Sequence, residues 1–309
     1  MRIQQIEIND SQFQVLAKKF GNIFSSPEWL SIYDSSLKVY GLFLDQNLKG
    51  AFLSYEFSRL GMKFMIPPPF SPSNELILEE SLSKEQAVKL LLNFMNEKKA
   101  VFKRMALQKD YLSQFGEISG MNFQKGVSYI LSLKGENEIS DSYQPKRRQQ
   151  IRRAERDGLL VEKIKDKKVI LDLISQTYAR QKKKVALLRV EKIISTFLNS
   201  GKGYGFVTYK DSIPLAGYFC VQDSRTAYYI FGGYDANRKH IGAGPLAMDA
   251  CIREAKKREL LNFDFEGSMV PSIANFFKEF GGVKVEYPIF EQHNLFGKTI
   301  LGLKKMIWR

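Results

Sequence analysis

Residues 231–252 read FGGYDANRKHIGAGPLAMDACI and contain the signals that decide the fold. Alternating apolar residues lead into this stretch over Thr226–Phe231, which predicts a β-strand. A helix is predicted over Pro245–Arg258, because apolar residues recur from Met248 onward at intervals of three and four positions. Pro245 suits the first turn of a helix, since the N–H that proline lacks has no intrahelical partner there. A strand, a glycine-containing loop and a helix therefore follow one another in the second half of the chain.

The same order of elements occurs earlier in the chain. Three short strands begin at a Tyr-Gly-Leu-Phe motif at residue 40 and at a Tyr-Gly-Phe-Val motif at residue 204. Each triplet is followed by a helix, a strand, a short helical segment that ends in Phe-Gly, and a closing strand. The opening tyrosine precedes Phe115 by 75 positions in the first copy and Phe280 by 76 in the second. The sequence predicts two copies of one α/β unit, with chance similarity between two α/β segments as the alternative.

The element bounds follow from the positions of the turn residues Asp, Asn, Ser and Gly. Predicted elements of the first copy are strands Val39–Asp45, Leu48–Phe57, Met62–Ile66, Val101–Gln108 and Val127–Leu133 and helix Ser83–Lys98, with Ser83 as N-cap. Those of the second copy are strands Gly205–Lys210, Pro214–Gln222, Thr226–Phe231, Leu261–Glu266 and Val283–Phe290 and helix Pro245–Arg258. The predicted domains are residues 1–138, completed by residues 291–309, and residues 139–290, which carry the site.

A basic segment, Gln144–Gly158, lies between the two copies and reads QPKRRQQIRRAERDG. It is helical in propensity but has almost no apolar face. From Asp141 to Lys192 there are 16 Lys and Arg residues against 7 Asp and Glu residues, which is nine of the fourteen net positive charges. Such a segment is either a solvated surface helix or an anion-binding element for RNA phosphate or a phosphorylated ligand. The anion-binding candidates are Lys146, Arg147, Arg148, Arg152 and Arg153.

Composition narrows the classes of function. The chain has 309 residues with 47 Lys and Arg against 33 Asp and Glu, an excess that favours polyanionic or phosphate-bearing partners. Its two histidines, His240 and His293, have no metal-ligand spacing to a cysteine or to each other, so no metal is expected. There is neither a G-x-S-x-G motif nor a P-loop.

Two further features concern the cellular compartment. Cys220 and Cys251 lie in apolar stretches and are expected to be buried, reduced thiols. The beginning of the sequence lacks the apolar region of a signal peptide, and no apolar run approaches the ~20 residues of a membrane span. The sequence therefore predicts a cytoplasmic protein without a membrane span.

The loop before the predicted helix Pro245–Arg258 has the pattern Lys239-x-x-Gly-x-Gly. Glycines before a helix start let backbone N–H groups close on an anion, and the helix dipole favours negative charge there. Arg238 and Lys239 add positive charge, so a pyrophosphate is the expected ligand, with a plain glycine-rich turn as the alternative. The corresponding stretch of the first copy, PPPFSPSNELILEESLSKEQ, has neither glycines nor basic residues before its helix, so only the second copy is expected to bind a phosphate-bearing donor.

This strand, loop and helix resemble the acyl-CoA pyrophosphate loop of the GNAT acyltransferase superfamily. Phe263–Gly282, FDFEGSMVPSIANFFKEFGG, and the basic helix resemble the tandem-GNAT group, which includes the Fem peptidoglycan-bridge aminoacyltransferases and the "acetyltransferase 6" or BioF2-like proteins. The resemblance implies two tandem GNAT-like units with mixed central sheets and acyl-CoA as donor co-substrate. The donor-binding residues that it implies are Phe231, Gly232, Gly233, Arg238, Lys239, Gly242, Ala243 and Gly244.

The sequence departs from the Fem proteins in three ways. It is shorter, it has no inserted coiled-coil arm, and it keeps the Gly-x-Gly loop, which fits a CoA donor better. Lys239 stands where the family usually has Gln or Arg, which keeps the charge but loses the guanidinium fork.

The candidate catalytic residues lie around the next predicted strand. In Leu261–Glu266, Asp264 and Glu266 are expected on one face, where either carboxylate accepts the proton of the acceptor amine or pairs with neighbouring basic residues. The resemblance places Lys278 at the active site, with an ordinary surface lysine as the alternative. Tyr228 is expected to line the acyl pocket or to protonate the leaving group, with simple packing as the alternative.

Three functions follow from these features. The first is N-acyl transfer from acyl-CoA to a small-molecule or peptide amine by direct attack, with CoA binding that Gly242→Glu abolishes. The second is Fem-type aminoacyl transfer from tRNA to a cell-wall or other amine acceptor. The third is a non-catalytic nucleic-acid-binding module, although no RNP1-type signature is present.

Overall fold

A computed structural model describes residues 1–114, 122–135, 137–182, 185–267 and 270–293. The elements up to residue 132 are β1 (Arg2–Ile6), α1 (Ser11–Phe20), α2 (Pro27–Leu30), β2 (Leu37–Leu44), β3 (Asn47–Arg59), β4 (Met62–Ile66), β5 (Ile77–Leu78), α3 (Lys84–Glu97), β6 (Phe102–Ala106) and β7 (Asn122–Ser132). Those that follow are α4 (Pro145–Arg156), β8 (Leu160–Lys163), α5 (Lys167–Arg180), α6 (Leu187–Asn199), β9 (Gly203–Lys210), β10 (Ile213–Gln222), β11 (Thr226–Tyr234), α7 (Ala243–Lys257), β12 (Asn262–Asp264), α8 (Pro271–Glu279) and β13 (Val283–His293). Three 3-10 helices, Ile23–Ser25, Lys109–Gln114 and Ile139–Ser142, connect some of these elements.

The described chain divides into two compact units. The first contains Met1–Gly126 and the described residues from Glu286 to His293, and the second contains Val127–Val285. The chain therefore changes unit within β7 and again within β13.

The sheet of the first unit has the strand order β1-β2-β3-β4-β6-β13. Strands β2, β3 and β4 form an antiparallel meander, β4 and β6 are parallel, and β13 is antiparallel to β6. Helix α3 begins as its sequence predicts, because the Ser83 side chain accepts a hydrogen bond from the Gln86 N–H. Its apolar side buries Leu91 in a core that includes Phe52 and Phe290.

The sheet of the second unit has the order β7-β12-β11-β10-β9-β8. Strands β11 and β12 are parallel, and every other neighbouring pair in this order is antiparallel. Helix α7 packs on one face, where Tyr204, Cys220, Cys251 and Phe263 are buried. Both cysteines are unpaired. Helix α5 packs against β10 and β11.

Each sequence repeat ends in a closing strand, and that strand pairs with a strand of the other repeat. Strand β7, which ends the first repeat, pairs with β12, so that Leu131 lies opposite Phe263. Strand β13, which ends the second repeat, pairs with β6, so that Phe290 lies opposite Met105. Alternating sequence predicts where a strand lies but not its partner, and the expectation that each closing strand completes its own repeat is wrong.

The prediction of a mixed α/β fold is confirmed. The Phe115-Gly116 pair and residues 294–309 lie outside the described residues. Two strands are shorter than predicted. Strand β6 is confined to Phe102–Ala106, and β12 ends at Asp264, after which Glu266 has a φ of 58°, in the left-handed region. No helix within the described ranges is long and apolar enough to cross a membrane.

Candidate functional site

The site is built where two parallel strands of the second unit separate. Strands β11 and β12 pair over three residues, the last pair being Tyr228 and Asp264. Strand β11 then continues to Tyr234, whereas β12 ends and the chain turns at Glu266. Beyond Tyr228, this edge of β11 has no neighbouring strand among the described residues. Its backbone N–H and C=O groups are available to pair with an extended ligand.

Two tyrosines stand over the separated part of β11. Tyr218 of β10 and Tyr229 of β11 have ring centroids 5.3 Å apart and nearly perpendicular planes. A Cβ at Gly232 would collide with the Tyr229 hydroxyl and with the Tyr218 ring, so glycine is required beside this pair. The register of β10 and β11 shifts after Phe219, which leaves Ile230 as the extra residue of a bulge. Burial raises the pKa of both tyrosines, so their hydroxyls stay protonated at neutral pH.

The neighbouring residues of β11 are fixed by the core. The Phe231 ring is buried. A Cβ at Gly233 would collide with the Leu173 backbone of α5, so this glycine is required by the close approach of a helix. Among the donor residues that the resemblance implies on β11, Gly232 is the one that adjoins the tyrosine pair.

Only part of the predicted pyrophosphate loop is open to a ligand. The Gly242 N–H donates to His240 Nδ1 at 3.1 Å, and the Ala243 N–H donates to the His240 carbonyl at 3.1 Å. The Gly244 N–H has no hydrogen bond to the described residues, and Lys239 is exposed without an ion pair among them. Arg238 is exposed and lies 3.4 Å from Asp235.

Both loop glycines also have packing roles. A Cβ at Gly242 would collide with the Gln150 carbonyl oxygen of α4 and lie 2.7 Å from the Ala154 Cβ. A Cβ at Gly244 would lie 2.8 Å from the Tyr218 hydroxyl. His240 Nε2 and Asp157 Oδ2 are 3.1 Å apart, which ties the end of α4 to the same loop. Because His240 Nδ1 accepts the Gly242 N–H, this contact fits a neutral imidazole that donates to Asp157 through Nε2.

The basic helix α4 does not present all of its cations to solvent. Lys146, Arg152 and Arg153 are exposed, and Arg148 is half-buried, with its guanidinium donating to the Tyr143 and Ser140 carbonyls. Arg147 is buried, with 4% of its surface exposed, and pairs with the equally buried Glu279 of α8. Its assignment to a polyanion-binding surface is therefore wrong.

The Arg147 guanidinium is enclosed by aromatic rings. It lies 4.3 Å from the ring centroid of Phe276 and 4.9 Å from that of Phe280. Burial lowers the pKa of this guanidinium, while Glu279 acts in the opposite direction. The sequence reasoning missed both the Arg147–Glu279 pair and Tyr218. The sequence does contain a signal for the burial of Glu279. In the helical pattern of α8 this residue lies three positions after Phe276, on an apolar face.

The two candidate carboxylates lie at the end of β12. Asp264 Oδ1 accepts hydrogen bonds from Ser128 Oγ at 2.6 Å and from the Glu266 N–H at 2.8 Å. Because Glu266 leaves the extended conformation, the prediction that it shares one strand face with Asp264 is wrong. Both residues are half-buried at the mouth of the separated strands.

The two remaining candidates lie apart from the tyrosine pair. The Tyr228 hydroxyl donates to Asp223 Oδ2 at 2.9 Å, in the turn at the opposite end of β11 from the loop. Lys278 is exposed on α8, with its Nζ 5.9 Å from the centroid of the Tyr129 ring. Within the described residues, no group of His, Cys, Asp and Glu side chains has the arrangement of a metal site.

Residues 145–278 match the family described as "Acetyltransferase (GNAT) domain". This part of the second unit is a GNAT acetyltransferase domain. This GNAT domain contains the separated strands, the loop and the basic helix, and it makes the chain a GNAT-type N-acyltransferase. No curated protein matches the sequence.

Solved structures extend the likeness to the whole chain. FemX has a TM-score of 0.65 and 13% identity over 100% of both chains. L-PGS from Bacillus licheniformis has a TM-score of 0.60 and 12% identity over 98% of each chain. A tandem GNAT protein from the clavulanic acid biosynthesis pathway has a TM-score of 0.60 and 10% identity, over 94% of this chain and 98% of the other. At these identities the likeness concerns the fold, and the predicted tandem GNAT fold is confirmed.

Proposed function

We propose that the protein transfers an acyl group from acyl-CoA to an amine by direct attack of the amine on the thioester. The observation that carries this proposal is the separation of β11 from β12 beyond Tyr228. The pantetheine arm of CoA contains amide groups, which suit hydrogen bonding to an unpaired strand edge. Direct attack needs positioning of the two reactants rather than a nucleophilic side chain.

The start of α7 supplies the phosphate subsite in this proposal. The Gly244 N–H points out of the first helical turn, where the helix dipole favours an anion. Lys239 and Arg238 add positive charge at the surface of the same loop. Backbone N–H groups of residues 231–233 polarise the acyl carbonyl.

The proton transfers are assigned to residues around the strand separation. Glu266 accepts the amine proton, and Asp264 positions the Glu266 turn through its hydrogen bond to the Glu266 N–H. Tyr218, which remains protonated, donates to the leaving thiolate. Lys278 keeps the place at the active site that the family resemblance implies. The Tyr228 hydroxyl stabilises the β10–β11 turn through its hydrogen bond to Asp223.

Aminoacyl-tRNA is the second candidate donor, because α4 exposes Lys146, Arg152 and Arg153 close to one another in sequence. A tRNA donor predicts affinity that falls steeply with salt, with a slope that decreases by about 0.7–0.9 for each phosphate contact removed. The acceptor in either case is a small-molecule or peptide amine.

The test is calorimetric titration of acetyl-CoA into the wild-type protein, Lys239→Glu and Lys257→Glu. The two variants have the same charge change at opposite ends of α7, and both lysines are exposed. We expect binding to the wild type and to Lys257→Glu, and at least tenfold weaker binding to Lys239→Glu. Gly242→Glu is a poor test, because its Cβ alone would collide with the Gln150 carbonyl.

Absence of acetyl-CoA binding to the wild type, or equal weakening in both variants, contradicts the CoA site. The tRNA alternative is then measured by titrating tRNA over a salt series with the double variant Arg152→Gln/Arg153→Gln. A reduced salt slope in that variant, with Lys257→Gln unchanged, supports the tRNA donor.

A further inference from the structure

A cavity of about 650 Å³ lies at one edge of the first unit's sheet. The parallel strands β4 and β6 begin there, with Phe64 opposite Phe102, and β13 ends there, with His293 opposite Phe102. Helix α3 ends beside them. Since α3 has 14 residues and rises about 1.5 Å per residue, the cavity is roughly 20 Å from the helix start, which corresponds to the donor loop of the second unit.

The cavity has an unusual charge. Lys63, Lys98, Lys99 and Lys103 line it, and no carboxylate does so among the described residues. None of the four ammonium groups forms an ion pair within the described part of the chain, whereas Lys49 and Arg104 of the same unit do. Like charges grouped around a concave surface repel one another, and the cavity wall focuses their field. An anion in the cavity removes this repulsion.

Lys103 is the buried member of the group, with 5% of its surface exposed. Its Nζ donates to the carbonyls of Met95 at 2.6 Å and Lys98 at 2.9 Å. An ammonium has three N–H donors, so one remains after these two bonds. Burial lowers the pKa of Lys103, and an anion beside it favours the charged form.

Lys98 is held in place by aromatic residues. Its Nζ donates to the Tyr40 hydroxyl at 3.0 Å and lies 4.7 Å from the ring centroids of both Tyr40 and Phe94. The position of Lys98 and Lys103 at the end of α3 has a structural explanation, because cations stabilise the carbonyl end of a helix. This explanation does not extend to the positive charges of Lys63, which lies on β4, and of the exposed Lys99.

We propose that this cavity is a second ligand site, which binds a small molecule through a phosphate or diphosphate group. The volume is that of a small-ligand site rather than of an extended nucleic-acid surface. Lys103 and Lys98 form its fixed floor, and Lys63 and Lys99 close on the anion from the rim. Met62 and Val101 supply an apolar wall for the rest of the ligand. The proposal is independent of the donor site in the second unit.

The test uses inorganic pyrophosphate as the probe, titrated calorimetrically into the full-length protein at physiological ionic strength. The double variant Lys63→Gln/Lys99→Gln removes the two rim charges and leaves the buried contacts of Lys103 intact. Its matched control is Lys18→Gln/Lys89→Gln, which removes two exposed charges elsewhere in the same unit. Lys239→Glu reports separately on the donor loop.

We expect pyrophosphate to bind in the cavity of the wild type, the control and Lys239→Glu alike, and in the cavity of the rim variant at least tenfold more weakly. Hydrogen exchange should show protection by pyrophosphate at residues 98–103 in the wild type but not in the rim variant. Absence of binding to the wild type overturns the proposal. So does equal weakening in rim and control variants, which indicates bulk electrostatics, or loss of binding in Lys239→Glu alone, which places the anion at the donor loop.

Discussion

At the scale of single residues, the buried pair Arg147–Glu279 connects α4 to α8 beneath the tyrosine pair. Glu279 also accepts hydrogen bonds from Lys146 at 3.2 Å and from the Asn275 amide at 2.8 Å. A buried ion pair adds little stability relative to an apolar replacement, but removing one partner leaves an uncompensated charge. The pair therefore constrains which residues of α4 and α8 can change.

Replacing Arg147 by Met is expected to lower the free energy of unfolding by about 3–5 kcal/mol, because it leaves the Glu279 carboxylate buried without its closest partner. The measurement is urea denaturation followed by circular dichroism. Lys146→Met is the control, since Lys146 binds the same carboxylate from an exposed position and should cost at most about 1 kcal/mol. A double variant Arg147→Met/Glu279→Leu should recover much of the loss. Equal effects of Arg147→Met and Lys146→Met would show that burial does not decide the cost.

At the scale of elements, the sequence predicts where helices and strands lie much better than which of them meet. Strand β4 has the predicted bounds, and α3 differs by one residue at each end, because hydrophobic periodicity and an N-cap serine are local signals. The burial of Arg147 could not be predicted from such local signals, since its partner Glu279 lies 132 residues further along the chain. Glu266 was misplaced because alternation does not show where a strand stops.

The loop before α7 shows the same limit. The Gly-x-Gly pattern indicates an anion loop, and the structure adds a packing requirement at each glycine. Gly242 faces a backbone carbonyl of α4, which cannot move alone, whereas Gly244 faces the far end of the Tyr218 side chain, which can. The pattern alone does not separate these two requirements.

Gly242→Ala is therefore expected to cost about 1–3 kcal/mol of unfolding free energy, and Gly244→Ala much less. The reason is that alanine at Gly244 gains up to about 1 kcal/mol of helix propensity, which offsets the displacement of Tyr218. Combining Gly244→Ala with Tyr218→Phe should remove the contact and make alanine stabilising. Urea denaturation of the four variants measures this, and a cost for Gly244→Ala that persists in the Tyr218→Phe background would exclude the hydroxyl contact as its cause.

At the scale of the whole molecule, the sequence repeat and the compact unit are different divisions of the chain. Each repeat is a continuous stretch, but each unit takes its closing strand from the other repeat. The core of the first unit thus depends on Phe290, which is 1% exposed, and that of the second on Leu131, which is 4% exposed. A mutation in a closing strand should therefore destabilise the compact unit in whose core its side chain packs. The sequence repeat to which the strand belongs should be affected less.

Phe290→Ala should destabilise the first unit by about 3–5 kcal/mol and Leu131→Ala the second by about 2–5 kcal/mol, because each leaves a cavity in a closed core. Hydrogen exchange measured by mass spectrometry distinguishes the two, since local unfolding lowers protection within one cooperative unit. Phe290→Ala should accelerate exchange in β6 and α3 while β9 keeps its protection, and Leu131→Ala should do the reverse. Faster exchange of β9 in Phe290→Ala, with β6 unchanged, would mean that each closing strand completes its own repeat.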